Sequence, residues 1–239
     1  MKTNDIEVLF DKICDETLKE GLASEFGDIL GTNDRFFDVM IRCFEIIVVI
    51  LALIIFSPLI FLICLAIFIE SRGNHSTVFS QIRLGLNGES FQIYKFRTMV
   101  WDAEDALKKD QTLYDEYVNN GFKLDMNRDP RISFVGKFLR KTSLDELPQL
   151  YNVFLGQMSL VGPRPIVPAE RNLYGEYACL LLQSKPGLTG LWQISGRDDI
   201  KYPDRIYIEC LQSITKSYKL YITCILRTIY VVCKQKGIK

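Results

Sequence analysis

The longest apolar run dominates the pattern of the chain. From Ile46 to Ile69, 24 consecutive residues carry no charge, and only Ser57, Pro58 and Cys64 interrupt the aliphatic and aromatic side chains. As a helix at about 1.5 Å per residue the run reaches roughly 36 Å, enough to cross a hydrocarbon core of about 30 Å. An acidic segment of 45 residues precedes it, so neither a secretory signal nor a transit peptide fits. Ser57-Pro58 falls at its middle. A proline there deletes one backbone hydrogen bond and crowds the carbonyl four residues back, which costs about 3 kcal/mol or kinks the helix. In lipid the freed carbonyl needs a partner, and the Ser57 hydroxyl is the nearest candidate. Arg35 and Arg42 before the run are matched by Arg72 and Arg83 after it, so the flanks set no orientation. On the residues alone, a single span is favoured over a helix that dips in and returns, because proline is common in spanning helices.

On either side the periodicity changes. Ile6, Leu9, Phe10, Ile13 and Leu18 lie at helical spacing in the acidic N-terminal arm. Val78 to Arg97 alternates about Asn87-Gly88, the strongest short hairpin signal, and predicts a two-stranded ribbon ending in YKFRTM (Tyr94 to Met99). A helix is predicted from about Asp102 to Asn120, with acids in its first turn, an apolar face of Leu107, Leu113, Tyr114, Tyr117 and Val118, and Gly121 as its stop. From Asp204 onward, Ile206, Ile208, Leu211, Ile214, Leu220, Ile222, Ile225, Leu226, Ile229 and Val232 recur at helical intervals beside Lys216, Lys219, Arg227, Lys234 and Lys236. Two readings stay open: amphipathic helices on an anionic membrane surface, or core helices with a solvated basic side. The predicted class is mainly α with a small β-hairpin.

Composition narrows the function. With 239 residues, 48% apolar and 24% charged, the chain is one ordinary folded unit plus a membrane segment. Its 29 basic and 29 acidic residues cancel, so no global basic field argues for nucleic acid. The first 45 residues hold 11 acidic and 5 basic residues (net −6), leaving 24 minus 18, or +6, for the remainder. A single histidine, His75, disfavours serine-type triads, zinc hydrolases and histidine-based acid–base chemistry. The seven cysteines are scattered and form no CxxC, so neither a zinc site nor a disulfide framework is indicated, and a reducing environment is implied.

Phosphate-handling residue types crowd between Arg128 and Arg197. The segment RDPRISFVGKFLRKTSLDELPQL holds five basic residues within 14 positions, followed by the paired acids Asp145 and Glu146. Ser143 to Glu146 matches a capping box, but Pro148 would then fall beyond the first turn; a cap at Asp145 makes Pro148 tolerable. An aspartate at a helix start among arginines is usually structural. In a membrane-bound chain with no other acid–base candidate, it is also a good nucleophile or Mg2+ ligand. GPRP (Gly162 to Pro165) brackets Arg164 with prolines and presents a preorganised guanidinium, the natural fork for a phosphate. KPGLTGLWQISGR (Lys185 to Arg197) has glycines at 187, 190 and 196 with a cation at each end. Together the loops suggest a phosphorylated, nucleotide-linked substrate, with a protein-docking surface as the bland alternative.

The ordered set YKFRTM, DPRIS, GKFLRKTSLDELPQLYNVFLGQMSLVGPRP and KPGLTGLWQISGR closely resembles the bacterial sugar transferase family, over about residues 35 to 230. These are monotopic polyprenyl-phosphate sugar-1-phosphate transferases, or phosphoglycosyl transferases, that begin assembly of capsules, exopolysaccharides, O-antigens and related glycans. The resemblance implies transfer of a sugar phosphate from a UDP-sugar to undecaprenyl phosphate, with Mg2+, on the cytoplasmic face of the bacterial inner membrane. Asp145 and Glu146 match the family's catalytic dyad. Asp145 would be the nucleophile, forming a covalent phosphosugar and touching Mg2+, and Glu146 would assist in proton or metal handling. Lys95, Arg97, Arg131, Arg164 and Arg197 would hold substrate phosphates. Ser57-Pro58 matches the family's re-entrant break, which reverses the preference for a span.

The implied organisation is an acidic extension over 1–34, a re-entrant membrane helix over 35–72, and a cytoplasmic catalytic domain over 73–239 with amphipathic C-terminal helices. This chain departs from the family at Ser71 to Phe79 (SRGNHSTVF), where the usual proline is missing, and at Glu209 and Tyr221, where the family usually has aspartates. A membrane-bound aspartyl-phosphate hydrolase and a catalytically degenerate scaffold are the competing functions. The sugar is not readable, and a homodimer is compatible with the sequence.

Overall fold

The computed structural model describes residues 35–73, 75–119, 124–196, 200, 202–215 and 217–234; the acidic N-terminal extension, Gly121 and Arg197 lie outside them. Helix α1 (Arg35–Glu70) is continuous for 36 residues with Pro58 inside it. It starts earlier than the uncharged run because Phe36, Phe37, Val39, Met40, Ile41 and Phe44 extend the apolar surface by several turns. It is long and apolar enough to cross a membrane. The Ile54 carbonyl, which loses its N–H partner to Pro58, accepts the Ser57 hydroxyl at 2.8 Å.

Both halves of α1 pack on one body. Ile41, Val48, Val49, Ala52 and Leu53 join Phe91, Ile93, Leu150, Val153, Met158, Leu160 and Tyr221 in one apolar cluster. Beyond the proline, Leu59, Ile60, Ile63, Cys64 and Ile67 join Phe96, Val135, Leu139, Leu144 and Leu147 in another. Polar contacts fix both ends. Arg42 donates to the Val153 and Phe154 carbonyls at 2.6 and 2.7 Å. Glu45, buried, accepts from the Leu160 N–H and the Tyr221 hydroxyl, each at 2.8 Å, and from the Ser159 hydroxyl. At the far end, Glu70 accepts the Val135 N–H at 3.1 Å. The opposite face, including Ile47, Ile54, Ile55, Phe61, Leu62 and Ile69, is exposed.

Strands β1 (Val78–Leu84) and β2 (Ser90–Phe96) pair antiparallel from Val78↔Phe96 to Leu84↔Ser90, as the alternation predicts. Gly85 to Glu89 form the connection, longer than a two-residue turn, and Asn87 and Gly88 supply its positive φ values of 56° and 80°. The single helix expected over 102–120 is two, α2 (Ala103–Lys108) and α3 (Gln111–Asn119). Asp110 breaks it by starting a new helix: its carboxylate accepts the Thr112 and Leu113 N–H groups at 3.0 and 3.2 Å. Helix α4 (Phe134–Thr142) begins at Ser133, whose hydroxyl accepts the Gly136 N–H at 3.0 Å.

Neither cap expected near the paired acids forms. Ser143 is the left-handed residue that ends α4, Leu144–Glu146 is a 3-10 turn, and α5 (Gln149–Phe154) starts after Pro148. Pro148 thereby sits where its missing N–H costs no helical bond.

A second, parallel pair, β3 (Ser159–Val161) and β4 (Gly187–Thr189), was not foreseen, because the segments are short and glycine-rich. It explains the loop glycines. A Cβ on Gly162 would lie 2.5 Å from the Lys185 carbonyl oxygen, one on Gly187 would lie 2.0 Å from the Gly162 nitrogen, and one on Gly190 would lie 2.2 Å from the Gly162 oxygen.

Short helices α6 (Arg171–Tyr174) and α7 (Ala178–Leu181) pack with Leu84, Ile166, Ile206 and Cys210, and α8 (Leu191–Ser195) follows β4. The two C-terminal readings divide between two helices. α9 (Asp204–Ile214) is a core helix whose buried Glu209 accepts from the Tyr174 hydroxyl and from Arg205 Nε. α10 (Tyr218–Lys234) buries Tyr221, Cys224 and Val231 but exposes Ile222, Leu226, Ile229 and Tyr230, an outward apolar face. The fold is thus mostly helical with the expected hairpin and one long apolar N-terminal helix.

Candidate active site

The two acids are positioned by a chain reversal. Ser143, at φ 56° and ψ 16°, turns the chain between α4 and the 3-10 turn, so that Arg140 on the last turn of α4 faces Asp145. β2 supplies the opposing cation. Its alternation puts Lys95 and Arg97 on one face, and Lys95 Nζ donates to Glu146 Oε1 at 2.7 Å. Arg140 Nε is held by the Thr98 hydroxyl at 2.9 Å, just beyond the end of the strand. Gly136 makes that approach possible, since a Cβ there would meet the Thr98 carbonyl oxygen at 2.1 Å.

These groups open onto a cavity of about 1390 Å³. One side of it carries Lys95, Arg97, Arg140, Arg164 and Arg83 around the acids. Another side is apolar: Phe44, Val48, Ala52 and Phe56, a stripe of α1 at four-residue spacing, with Ile225 and Ile229 of α10. Burial and the adjacent Glu146 carboxylate push the Asp145 carboxyl up to about 6 from 3.8, although Lys95 and Arg140 pull it down. It is therefore ionised at neutral pH yet more basic than an ordinary aspartate, which suits a carboxylate nucleophile.

The other expected phosphate ligands divide. Arg97 lines the cavity; its Nε donates to the Ser76 carbonyl at 2.8 Å, and its guanidinium lies 4.9 Å from the Trp101 ring centroid. Arg164 also lines it, 5.6 Å from the Trp192 ring centroid, and its Nε is buried without a hydrogen-bond partner. Arg131 is not among the lining residues. It clamps Asp129 in a two-pronged pair, at 2.8 and 2.7 Å, and lies 4.4 Å from the Tyr117 ring centroid. Arg140 and Arg83 were not singled out from the sequence. Arg140 stands five residues before Asp145, and only the left-handed Ser143 reveals that the two meet. Arg83 read as a membrane flank, although the strand alternation could have carried it inward.

A pair of acids set among cations, beside an apolar wall built from a membrane helix, fits a phosphorylated ligand with a lipid tail. Comparison with known proteins agrees. The family described as bacterial sugar transferase matches residues 36–235. The exopolysaccharide production protein ExoY of Rhizobium meliloti (strain 1021) is 41% identical over 197 residues, covering 82% of this chain and 86% of that protein. The undecaprenyl-phosphate galactose phosphotransferase of Salmonella typhimurium is 42% identical over 202 residues, covering 82% of this chain and 41% of that longer protein. A UDP-galactose-lipid carrier transferase of Erwinia amylovora is 41% identical over 192 residues, covering 78% of this chain and 39% of its own length. With the match running through α1, the hairpin, the paired acids and both glycine-bearing loops, the chain belongs to the bacterial sugar transferase family.

Proposed function

We propose that this chain transfers a sugar 1-phosphate from a UDP-sugar to undecaprenyl phosphate, releasing UMP, as the first membrane step of a polysaccharide pathway. The observation that carries the reading is the Asp145–Glu146 pair in a cavity with a cationic side and an apolar wall contributed by α1. The names of the Salmonella and Erwinia relatives supply the lipid carrier and the nucleotide donor.

Asp145 attacks the phosphorus next to the sugar. A bond forms between its carboxylate oxygen and that phosphorus, the bond to the bridging oxygen breaks, and the electron pair leaves on UMP. In the second step a phosphate oxygen of the lipid attacks the same phosphorus and the Asp145 carboxylate departs. Lys95 and Arg140, already facing the acids, offset the charge of the transferred phosphoryl group. Asp145 and Glu146 would also hold Mg2+. Their crowding, which lifts the Asp145 carboxyl, is what a divalent cation relieves, and Mg2+ needs only one or two carboxylates when substrate phosphates complete its shell. When bound it would screen phosphate oxygens as a Lewis acid.

The same reading places α1 in one leaflet at the cytoplasmic face of the inner membrane. Its two halves both pack on the domain that carries the acids, and its two ends are both tied there through Arg42, Glu45 and Glu70. A helix crossing to the far side would leave one half without that support.

The test is a donor-only incubation. UDP-galactose or UDP-glucose without lipid should give a burst of UMP equal to the enzyme present. The Asp145 peptide should gain the mass of a hexose phosphate, and undecaprenyl phosphate should discharge it. Continuous release of free sugar phosphate without lipid would make the protein a hydrolase. No UMP with a full panel of UDP-sugars would make it a scaffold.

A further inference from the structure

Arg83, near the end of β1, has no role in the chemistry described so far, yet it reaches the same cavity. Its side chain is only 11% exposed, and Nη1 donates to the Pro165 carbonyl at 3.0 Å, which ties it to the loop carrying Arg164. Nη2 donates to Gln81 Oε1 at 2.8 Å, and Glu170 lies 3.8 Å away. Nε is buried with no hydrogen-bond partner, as is Nε of Arg164. Arg205 adds a third guanidinium behind them, 4.3 Å from the ring centroid of Trp192, the same indole that Arg164 faces at 5.6 Å. Burial first, and then the neighbouring Arg164, lower Arg83 to about 10 from 12.5. Two neighbouring guanidiniums that repel one another, with Glu170 no nearer than 3.8 Å to Arg83 and an unused N–H on each, leave room for a further anion.

The proposed reaction supplies one anion besides the transferred phosphoryl group. When the bond to the bridging oxygen breaks, the electron pair and one full negative charge pass to the nucleotide phosphate. Lys95 and Arg140 already face Glu146 and Asp145, where the transferred phosphoryl group would sit. We infer that Arg83 and Arg164 together form the leaving-group site, holding the phosphate of the departing nucleoside monophosphate through the parts of their guanidiniums that line the cavity.

This inference rests on the proposed transfer reaction, and half-reactions separate the two. Arg83→Gln and Arg83→Lys are compared with the unmutated protein in lipid nanodiscs. Expected is a rise of about tenfold or more in the UMP inhibition constant, the scale of a charge-assisted bond, with weak inhibition by uridine unchanged. Formation of the covalent phosphosugar should slow by a similar factor, with Arg83→Lys intermediate because it keeps charge but not the fork. Discharge of the preloaded intermediate to undecaprenyl phosphate should stay within about twofold of the unmutated rate. Using preloaded enzyme restricts that measurement to folded molecules. UMP inhibition unchanged in both variants, or equal slowing of both half-reactions, would overturn the leaving-group role. Failure of the unmutated protein to form any covalent intermediate would instead sink the transfer reaction itself.

Discussion

Replacing Asp145 with Asn should abolish turnover and at the same time stabilise the protein, a combination that a purely structural aspartate would not produce. The folded state holds the Asp145 carboxyl at about 6 against an ordinary 3.8, so ionising it at neutral pH opposes folding. Taken at face value the shift corresponds to about 3 kcal/mol. Asp145 is half-buried and faces Lys95 and Arg140, so relaxation and screening reduce the expected gain to about 1–2 kcal/mol, or a few degrees in Tm. The sign fixes the pH window. Above pH 6 the carboxylate is charged in both folded and unfolded chains, and the Asn variant keeps its full advantage. As pH falls from 6 toward 4, the folded protein takes up the proton first, and the advantage fades. Asn also loses no cap, because Asp145 lies in a 3-10 turn rather than at the helix start. The assay is thermal unfolding in nanodiscs from pH 5 to 8, alongside UMP release. A variant less stable than the unmutated protein at pH 7.5, or equally favoured at every pH, would refute the account of the site, and full UMP release would remove Asp145 as nucleophile.

Arg164→Lys should lower kcat/KM by about 1.5–3 kcal/mol of transition-state stabilisation, because lysine offers a point charge where a planar fork faces Trp192; a value within a factor of about two of the unmutated enzyme would contradict this. Gly162→Ala should destabilise by about 1–3 kcal/mol or prevent folding, since its Cβ would fall 2.5 Å from the Lys185 carbonyl oxygen and pry β3 from β4; unchanged Tm and expression would show that the two loops are not pressed together. Replacing Ser57-Pro58 by Ala-Leu should remove the break in the helical hydrogen bonds of α1, favour a span and reduce activity although both acids are untouched. An impermeant thiol reagent on intact cells should then label a cysteine at Asn33, and labelling at that position before the change would rule out the one-leaflet arrangement.

The parts of the fold readable in the sequence are those in which a local pattern decides the outcome. Asn87-Gly88 forces a reversal wherever the flanking residues alternate, and the hairpin forms where expected. The membrane helix is equally local in origin. The errors fall where the deciding contact is distant or where two local signals compete. At Ser143 the box of Ser and Glu suggested a helix start, but the chain adopts a left-handed turn there and α5 waits until Pro148 has passed. At Asp110 a short capping sequence breaks what side-chain periodicity alone reads as one helix. The glycines at 162, 187 and 190 carry no local signal of their task, which is to let two backbones meet. That contact spans about 25 residues of chain, and no pattern within either segment announces it.

The acids themselves were visible as a pair, and the family resemblance named Lys95, Arg97 and Arg164 with them, but no local pattern showed Arg140 or the apolar wall, and these surroundings decide what the pair can do. Lys95 is 50 residues before Asp145, and the apolar wall comes from a helix about 100 residues away. Arg140 arrives only through the φ of one serine. An exposed aspartate beside an arginine and a lysine would be held below the ordinary carboxylate range and would be a weaker base. Burial and Glu146 raise its basicity, while the cations keep it ionised. The stripe Phe44, Val48, Ala52 and Phe56 then gives the membrane helix a second task. By packing along one body on both sides of Ser57-Pro58, α1 brings a lipid-compatible surface into the same cavity as Asp145. Geometry of that kind explains why a change at the proline should be felt at Asp145, across a distance that no motif spans.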